Sequence, residues 1–484
     1  MKKVALINPP QKYYKKSLPF SLYIPIGLLS IASKIRNICK LDFFDFLAED
    51  FTRINFGGYY IYGSQPETIK RRIAESRPDI IGISIPFSTQ LEEALKIKDI
   101  CKEANPAARI IFGGPEPSIR YRSLLRDKAC DFCIVGEGEE AFYELVECFK
   151  EGREARDIKG VAYIKREELI YTEREYIEDL DSLPFPAYEL INFRNYWENP
   201  YFYNIRSSLK KLSVPVFTSR GCPYECIFCS VHLHMGHRYR VNSEDYVIRH
   251  LRYCMEEFGV KRFHFEDDNI SLDRRRFENI LDKIISSGLE IEWDAPNGIR
   301  ADTLDYDLLK KMKNSGCRSL SIGIESGNQE VLNKIIKKNT SLEKIIGVAR
   351  GCKKLGMRLL AFYVIGFPGE TKENIKDTVD FALKLLKDYD VNPALLFATP
   401  LYGTELYNIC RRDDLLPEKM DEYSLAVATQ PYGVPIIETD EFSRNYLKRI
   451  VRNYNLRLLP GLITYHLRRK KRRIKNFILK TYEF

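Results

Sequence analysis

The stretch "SRGCPYECIFCS", Ser219 to Ser230, places Cys222, Cys226 and Cys229 within eight residues. The 484-residue chain has twelve cysteines, and the others are scattered. Clustered cysteines in a large intracellular chain indicate a metal site rather than a disulfide framework. The Cys-x3-Cys-x2-Cys spacing therefore predicts three thiolate ligands in one loop.

Three thiolates can bind three irons of a [4Fe-4S] cluster, which normally takes four protein ligands. The fourth iron is then open, and an open coordination position is how a metal site admits a substrate. A structural zinc site is the alternative. It needs a fourth ligand, which His232 or His234 could supply.

The cysteine loop follows the first of six strand-like segments in residues 211–428. Amphipathic helical patterns separate these segments, and several begin at Ser, Thr or Asp and end at Gly. Asp273 is expected to act only as such a helix cap. Six such units predict a partial (β/α)6 barrel with its chemistry at the carboxyl ends of the strands. The strand candidates are "VPVFTSR", "RFHFEDD", "IEWDAP", "SLSIGIE", "LLAFYVIG" and "PALLFATP".

The rest of the chain divides into three further parts. Residues 1–150 alternate strand and helix patterns, which predicts an α/β, Rossmann-like, doubly wound sheet that binds a ligand beyond the carboxyl ends of its strands. Residues 151–210 read as a linker that contains a strand hairpin. Residues 429–484 form a C-terminal segment that ends in a basic tail.

Composition indicates a globular protein, with 44% hydrophobic and 30% charged residues. Met1 leads directly into a strand pattern without a secretory leader, so a cytoplasmic location is expected. The most apolar stretch, "SLPFSLYIPIGLLSIAS", is interrupted by Pro19, Pro25 and Gly27 and is too short for a membrane span.

Much of the formal net charge of +9 falls in the tail "LRRKKRRIKNFILK". Cations interleaved with apolar residues are typical of a segment that lies on an anionic membrane surface, and a solvated helix end is the alternative. Membrane contact at the periphery would favour a lipid substrate. Nucleic-acid binding is not expected, because no stacking module accompanies the charge.

The cysteine spacing, with Phe228 before the last cysteine, resembles the signature of radical S-adenosylmethionine enzymes. The resemblance spans residues 211–410 and includes "FEDDN", "IGIESG" and "YVIGFPGET". It implies that the open iron binds S-adenosylmethionine, whose reductive cleavage by an external donor such as flavodoxin or ferredoxin gives a 5′-deoxyadenosyl radical. The cofactor contacts expected in the barrel are Phe228, Glu266, Asp267, Arg300, Glu325, Ser326 and Gly366.

The first 140 residues resemble the cobalamin-binding domain that precedes the barrel in one subgroup of this family. The resemblance rests on "LINPP", "IPIGLLSIAS", "PDIIGIS", "IIFGGPEPS" and "VGEGEEAFYEL". No histidine precedes His232, so no histidine of this domain can ligate the cobalt. The cobalamin contacts expected from the resemblance are Ser84, Gly113, Gly114, Pro115, Glu116, Gly136, Glu137, Gly138 and Glu139.

Together these resemblances imply a cobalamin-dependent radical enzyme that C-methylates an unactivated carbon of a small-molecule, lipid or other hydrophobic substrate. A cyclase, ring-contracting or carbon-coupling enzyme without net methyl transfer is the enzymatic alternative, and a cofactor-bearing sensor is the non-enzymatic one. No catalytic residue is assigned. Cys130 and Cys133 are expected to point to opposite faces of a strand as core thiols, and the remaining cysteines to pack in the core.

Overall fold

The computed structural model describes residues 2–15, 22–199, 212–418, 420–429 and 433–459. The basic tail, and with it the predicted membrane contact, lies outside these residues. Within them, no helix is long and apolar enough to cross a membrane.

The first region contains short strands and helices in alternation up to residue 197. Its strands are β1 (Lys3–Asn8), β2 (Gln11–Tyr14), β3 (Lys40–Asp45), β4 (Arg53–Asn55), β5 (Tyr59–Tyr62), β6 (Ile80–Ser84), β7 (Arg109–Gly113), β8 (Phe132–Ile134), β9 (Val161–Lys165) and β10 (Glu168–Tyr171). Its helices are α1 (Ile26–Ile35), α2 (Pro66–Ser76), α3 (Leu91–Ala104), α4 (Pro115–Arg126), α5 (Glu139–Lys150) and α6 (Arg194–Trp197).

In the described chain, a seven-stranded sheet has the order β10-β9-β8-β7-β6-β1-β3. Five neighbouring strands of this sheet, β3, β1, β6, β7 and β8, are parallel to one another. Four successive residues of β1 are fully buried, Ala5 and Ile7 on one face and Val4 and Leu6 on the other, because helices cover both faces. The predicted doubly wound sheet is confirmed.

Two features of this region differ from the sequence prediction. The hairpin expected in the linker is present as β9 and β10, but it continues the first sheet antiparallel to β8 instead of standing apart. A small tyrosine-rich sheet of order β2-β5-β4 was not predicted, because its strands have three or four residues each. The domain boundaries themselves stay a prediction.

The second region begins after residue 211. Its strands are β11 (Val214–Val216), β12 (Ser219–Arg220), β13 (Arg240–Val241), β14 (Arg262–Phe265), β15 (Glu292–Ile299), β16 (Cys317–Glu325), β17 (Arg358–Ile365) and β18 (Asn392–Phe397). Its helices are α7 (Val231–Met235), α8 (Glu244–Phe258), α9 (Arg274–Ser286), α10 (Tyr306–Asn314), α11 (Leu342–Leu355), α12 (Lys372–Tyr389), α13 (Glu405–Arg412) and α14 (Glu422–Ala428).

Over the described residues, the barrel strands form a six-stranded parallel sheet in the order β11-β14-β15-β16-β17-β18. The order is sequential and the edge strands do not pair with each other, so the predicted partial barrel is confirmed. Asp273 caps α9 by accepting a hydrogen bond from the Arg276 N–H at 3.0 Å, which is the structural role expected for it.

The described part of the C-terminal segment, for which no fold is predicted from the sequence, packs on the barrel. Residues 444–459 are helical. Phe442, Leu447, Val451 and Tyr454 are buried in the same hydrophobic core as the barrel strands. This segment therefore covers the barrel near the carboxyl end of β17.

Nine cysteines outside the triplet are buried, as expected for packing residues. The prediction that Cys130 and Cys133 point to opposite faces is wrong, because their sulfur atoms lie 3.4 Å apart. Only Cys133 belongs to β8, so the alternation of a strand does not apply to Cys130.

Candidate functional site

The cysteine loop, residues 221–236, follows β12 at the mouth of the barrel and includes the short helix α7. Cys222, Cys226 and Cys229 are each half-buried, unlike every other cysteine. The Cys229 N–H donates to the Cys226 carbonyl at 3.0 Å, and the Cys222 N–H donates to the Gly236 carbonyl at 3.2 Å. The second bond ties the beginning of the loop to its end.

The three thiols share one electrostatic environment. Burial raises the pKa of Cys222 and Cys226, and raises that of Cys229 to about 12. The neighbouring thiols raise the pKa of Cys229 further. Metal binding requires thiolates, so loading this loop must release protons.

The donor set fits a cluster better than a zinc ion. In the part of the chain that the structure describes, no three His, Cys, Asp or Glu side chains converge on a site for a single ion. His234 Nδ1 lies 3.0 Å from the Val231 carbonyl, and His232 stacks on His237 with ring centroids 4.8 Å apart. A [4Fe-4S] cluster binds each thiolate at a different iron, so its ligands need not converge on one point.

Aromatic contacts fix the side chains between the cysteines. The Phe228 ring lies 5.9 Å from the Phe367 ring, centroid to centroid. The Arg300 guanidinium stacks on Tyr224, 3.6 Å from its ring centroid. These contacts tie the cysteine loop to the loops that follow β15 and β17.

Acidic residues follow β14, where the sequence predicts a cofactor contact. Asp267 is buried, and its Oδ1 accepts from the Thr218 N–H at 3.0 Å, the Thr218 hydroxyl at 2.8 Å and the Ser219 hydroxyl at 2.5 Å. Its Oδ2 is buried without a protein partner among the described residues. The carboxylate thus braces the strand that leads into the cysteine loop and retains one oxygen for another donor.

The two neighbours of Asp267 differ from it. Glu266 is half-buried, and its backbone N–H donates to the Val216 carbonyl at 3.0 Å. Burial, followed by the charge of Asp267, raises the pKa of Asp268 to about 7. A carboxyl with that pKa can exchange a proton near neutral pH.

Arg300, one of the predicted cofactor contacts, binds a carboxylate of this chain with its bidentate fork. Its Nε and Nη2 donate to the two oxygens of Asp302 at 3.1 and 3.0 Å. Nη2 also donates to the Lys338 carbonyl at 2.7 Å. The fork is therefore engaged within the protein, and a contact to a cofactor carboxylate stays a prediction.

Glu325 ends β16 with a φ of +65°, a left-handed conformation that side chains other than glycine rarely adopt. Its Oε1 accepts from the buried Lys338 Nζ at 2.7 Å. Gly323 leaves room for this pair, because a Cβ there would lie 2.3 Å from Glu325 Oε1. Backbone strain at a strand end is typical of functional sites.

Ser326, the next residue, is fully buried and faces α12. Its hydroxyl lies 3.0 Å from the Thr378 hydroxyl and accepts from the Asn328 N–H at 3.1 Å. These contacts support the turn after Glu325. The predicted cofactor contact of Ser326 stays a prediction.

The turn after β17 contains a carboxylate that the sequence analysis did not single out. Glu370 is fully buried, and its Oε2 accepts from the Gly366 and Phe367 N–H groups at 2.7 and 2.8 Å. Its Oε1 has no partner in the described chain, and burial raises its pKa to about 7. Gly366 has a φ of +90°, and a Cβ there would lie 2.9 Å from Leu447.

The carboxyl edge of the first sheet contains the predicted cobalamin contacts. Ser84 and Gly113 pair in register at the ends of β6 and β7, and Pro115 begins α4. Gly114 has a φ of +110°, and a Cβ there would lie 2.9 Å from the Ile85 carbonyl oxygen. The backbone at Gly114 therefore lies close to the backbone of Ile85, and glycine permits the close backbone approach that a ligand-binding edge requires.

Glu116 is buried at the start of α4, and its own chain occupies both of its oxygens. Arg120 Nη1 donates to Oε1 at 3.0 Å and the Ser88 hydroxyl donates to Oε2 at 2.5 Å. The Arg120 guanidinium stacks on Tyr402, 4.6 Å from the ring centroid. Glu116 is thus part of the contact between the first region and the barrel.

The Gly136–Glu139 loop lies against the cysteine loop. Arg220, two residues before Cys222, donates to Glu137 at 2.8 Å and to Glu139 at 2.6 Å. Arg240 donates to the second oxygen of Glu137 at 2.7 Å. No local sequence pattern indicates these arginines or Lys338, because their partners are distant along the chain.

The close packing of Gly136 and Gly138 agrees with the contact between the Gly136–Glu139 loop and the cysteine loop. Gly136 has a φ of +94°, and a Cβ there would lie 2.9 Å from Arg174 and 3.5 Å from the His234 carbonyl oxygen. Gly138 packs on Ile31. The two cofactor-binding edges predicted from the sequence are therefore adjacent in space.

Comparisons with known proteins agree with both regions. A model of the radical SAM superfamily matches residues 216–382, and a model of the B12 binding domain matches residues 21–146. An uncharacterized methyltransferase from Pyrococcus horikoshii is 30% identical over 97% of this chain and 93% of its own length. The chain belongs to the cobalamin-binding radical S-adenosylmethionine family.

Other members of this family carry different names. The cytidylyl-2-hydroxyethylphosphonate methyltransferase of Streptomyces wedmorensis is 26% identical over 94% of this chain and 90% of its own length. The anaerobic magnesium-protoporphyrin IX monomethyl ester cyclase of Cereibacter sphaeroides is 27% identical over 65% of this chain and 51% of its own length. Both a methyltransferase and a cyclase are therefore among the relatives.

A solved member of the family has the same fold. The radical S-adenosylmethionine methyltransferase TsrM from Kitasatospora setae superposes with a TM-score of 0.68 at 17% identity, over 86% of this chain and 79% of that one. The predictions that the chain is an enzyme and uses a [4Fe-4S] cluster, S-adenosylmethionine and cobalamin are confirmed by its family membership.

Proposed function

We propose that this enzyme is a cobalamin-dependent radical methyltransferase that C-methylates an unactivated carbon. The observation that carries the proposal is the position of the cysteine loop. It lies at the barrel mouth and directly against the carboxyl edge of the cobalamin-binding region, through Arg220 and the Gly136–Glu139 loop. A substrate between these edges could reach both cofactors.

The chain's own residues would hold the cofactors as follows. Cys222, Cys226 and Cys229 would bind three irons of the cluster. Asp267 Oδ2 and Glu370 Oε1 are buried without a partner in the described chain, so they would be available to accept hydrogen bonds from a ligand bound at the mouth. When bound, the cluster and the two organic cofactors supply the electron, the radical and the methyl group.

Two exposed aromatic side chains support a hydrophobic substrate. Phe87 follows β6 and is 58% exposed, and Phe217 follows β11 and is 39% exposed. Each lies at the carboxyl end of its sheet, where such folds bind ligands. Large exposed aromatics at a ligand-binding edge are suited to contact apolar surface.

The second candidate is a radical cyclase that transfers no methyl group, and the cyclase relative favours it. The methyltransferases of Pyrococcus horikoshii and Streptomyces wedmorensis match 97% and 94% of the chain, whereas three anaerobic magnesium-protoporphyrin IX monomethyl ester cyclases match 65%, 80% and 84%. The wider match supports methyl transfer over cyclisation.

The test begins with anaerobic purification from cells supplied with cobalamin, followed by turnover of S-adenosylmethionine with reduced flavodoxin or ferredoxin. We expect about four irons and one cobalamin per chain. Methyl transfer requires S-adenosylhomocysteine in addition to 5′-deoxyadenosine. Release of 5′-deoxyadenosine alone, with a rearranged substrate, would favour the cyclase.

Cys226→Ala tests the ligand assignment, and Cys130→Ala is the matched control because its thiol is buried in the core of the first region. Cys226→Ala should lose the iron and all cleavage of S-adenosylmethionine, whereas Cys130→Ala should keep both. Equal iron in the two variants would show that the triplet is not the ligand set.

A further inference from the structure

A buried group of charges joins the cobalamin-binding region to the cysteine loop. This interdomain ion cluster consists of Glu137, Glu139, Arg220 and Arg240. The side chains of Glu137 and Arg240 are 1% and 2% exposed, and those of Glu139 and Arg220 are 7% and 16% exposed. Burial alone would raise the pKa of Glu139, but the charge and hydrogen bonds of Arg220 lower it below its ordinary value.

The cluster holds both ends of the cysteine loop. Arg220 lies two residues before Cys222, and Arg240 Nη2 donates to the carbonyl of Met235, the last residue of α7, at 3.0 Å. Glu137 accepts from both arginines, one on each oxygen. One carboxylate from the first region therefore connects the beginning of the loop to its end.

Further contacts hold the cysteine loop in the same place. β12 pairs with β13 through Ser219 and Arg220. Arg174 Nη1 donates to the Leu233 carbonyl at 2.6 Å. Gly236 packs so closely on Tyr176 that a Cβ there would lie 2.6 Å from the ring. The loop has few ways to move without breaking buried hydrogen bonds.

The buried charges of the interdomain ion cluster destabilise the fold unless their pairing geometry is kept. Buried charges are stable only when they are paired and hydrogen-bonded, and the loss of one partner leaves an uncompensated charge. The planar fork of Arg220 reaches two carboxylates at once, which a lysine ammonium cannot do with the same geometry. The positions of the loop ends are thus coupled to the Gly136–Glu139 loop.

We infer that the interdomain ion cluster is a positioning device for the iron-sulfur site: Glu137 and Glu139 hold the cysteine loop in its cluster-binding geometry rather than contact cobalamin. The inference rests on the proposed function of the cysteine triplet. It makes cluster retention depend on residues of the cobalamin-binding region, although those residues ligate neither cofactor.

The test compares Arg220→Gln, Arg220→Lys and a control, Arg238→Gln. Arg238 is close along the chain and pairs with Glu178 at 2.7 Å, but both side chains are more than half exposed. Each variant is purified anaerobically. We would measure iron per chain, the rate of iron release to a chelator, the EPR spectrum of the reduced cluster with and without S-adenosylmethionine, and cobalamin binding by absorbance.

Residues that orient metal ligands typically contribute 10- to 100-fold to metal affinity. We expect iron release from Arg220→Gln to be faster by roughly that factor, with an intermediate rate for Arg220→Lys and the wild-type rate for Arg238→Gln. Cobalamin binding should stay unchanged in all three. If Arg220→Gln does not fold, Arg220→Lys carries the test.

The outcomes separate the inference from the proposed function. Wild-type iron release and EPR spectra in the Arg220 variants would overturn the inference alone. Weakened cobalamin binding with a retained cluster would also overturn it, and would assign the glutamates to cobalamin. Wild-type protein that holds no cluster would overturn the proposed function, and the inference with it.

Discussion

Acidic side chains stand at the carboxyl ends of both sheets, but they are paired differently. In the first sheet, Glu116 and Glu137 have each oxygen bound by a donor of this chain. At the barrel mouth, Asp267 and Glu370 each use one oxygen, while the other is buried without a partner in the described chain. The first group is saturated, and the second has acceptor capacity left.

Whether both carboxylate oxygens are bound distinguishes a structural acid from a ligand-binding acid better than the position of the acid in the sequence does. All four acids follow strands, and all except Asp267 stand in glycine-bearing loops, so the two groups look alike in the sequence. A buried oxygen that lacks a donor is costly unless a ligand supplies one. A carboxylate paired with arginine has no such need, since its charge is already compensated.

The same substitution should therefore have different effects in the two groups. Glu137→Gln leaves the buried Arg240 without a carboxylate and should lower the free energy of unfolding by about 3–5 kcal/mol. Glu370 has no cationic partner and burial opposes its ionisation, so Glu370→Gln should not lower the free energy of unfolding and should raise it by up to about 3 kcal/mol at pH 7. Urea unfolding at pH 7 of the cofactor-free proteins measures both, and similar losses would contradict the comparison.

The stability of the protein should depend on pH through the buried carboxyl group of Glu370 at the barrel mouth. Burial raises the pKa of Glu370 from 4.5 to about 7 in the folded state. Between these values the folded state binds the proton more tightly than the unfolded state, so stability falls as the pH rises from about 4.5 to about 7. The loss is up to about 3 kcal/mol from this group.

Urea unfolding of the cofactor-free protein at several pH values between 4.5 and 7.5 checks this window. Glu370→Gln should flatten the decline. Asp268, whose pKa is raised to about 7, contributes with the same sign and should remain. An unchanged decline in the Glu370 variant would assign the effect to other groups.

A smaller effect should distinguish two adjacent glycines of the first sheet. Gly114→Ala places a Cβ 2.9 Å from a backbone oxygen at a φ of +110° and should cost about 1–3 kcal/mol. At Gly113 the nearest atom would be 4.0 Å away, so Gly113→Ala should change stability by less than about 1 kcal/mol. Thermal unfolding compares the two.

Cobalamin binding by the Gly113 variant sharpens the same comparison. If the backbone of Gly113 faces the cofactor, the added methyl group should weaken binding while the fold stays stable. If Gly113→Ala binds cobalamin with wild-type affinity, Gly113 is not one of the predicted cobalamin contacts at the carboxyl edge of the first sheet.

The features that the sequence predicted correctly depend on neighbours in the chain. The spacing of Cys222, Cys226 and Cys229 fits within one loop, and the helix cap at Asp273 spans three residues. Alternating apolar segments were enough to predict both sheets. Each of these patterns is set by local backbone geometry, which a short window of sequence contains.

The features that it missed depend on long-range pairing. Glu137 and Arg220 are 83 positions apart, so no local pattern indicates that they meet. Lys338 reaches Glu325 across an irregular segment. Glu370 was the exception, because its place in "GFPGE" was visible and only its buried environment was not.

The burial of nine cysteines also makes the protein a convenient subject for chemical footprinting. Brief alkylation of the folded apoprotein should modify only the half-buried triplet, because the remaining sulfurs are shielded from the reagent. Peptide mapping by mass spectrometry would then report how many triplet thiols are protected. Cluster occupancy could be followed in this way in crude preparations, without spectroscopy or a known substrate.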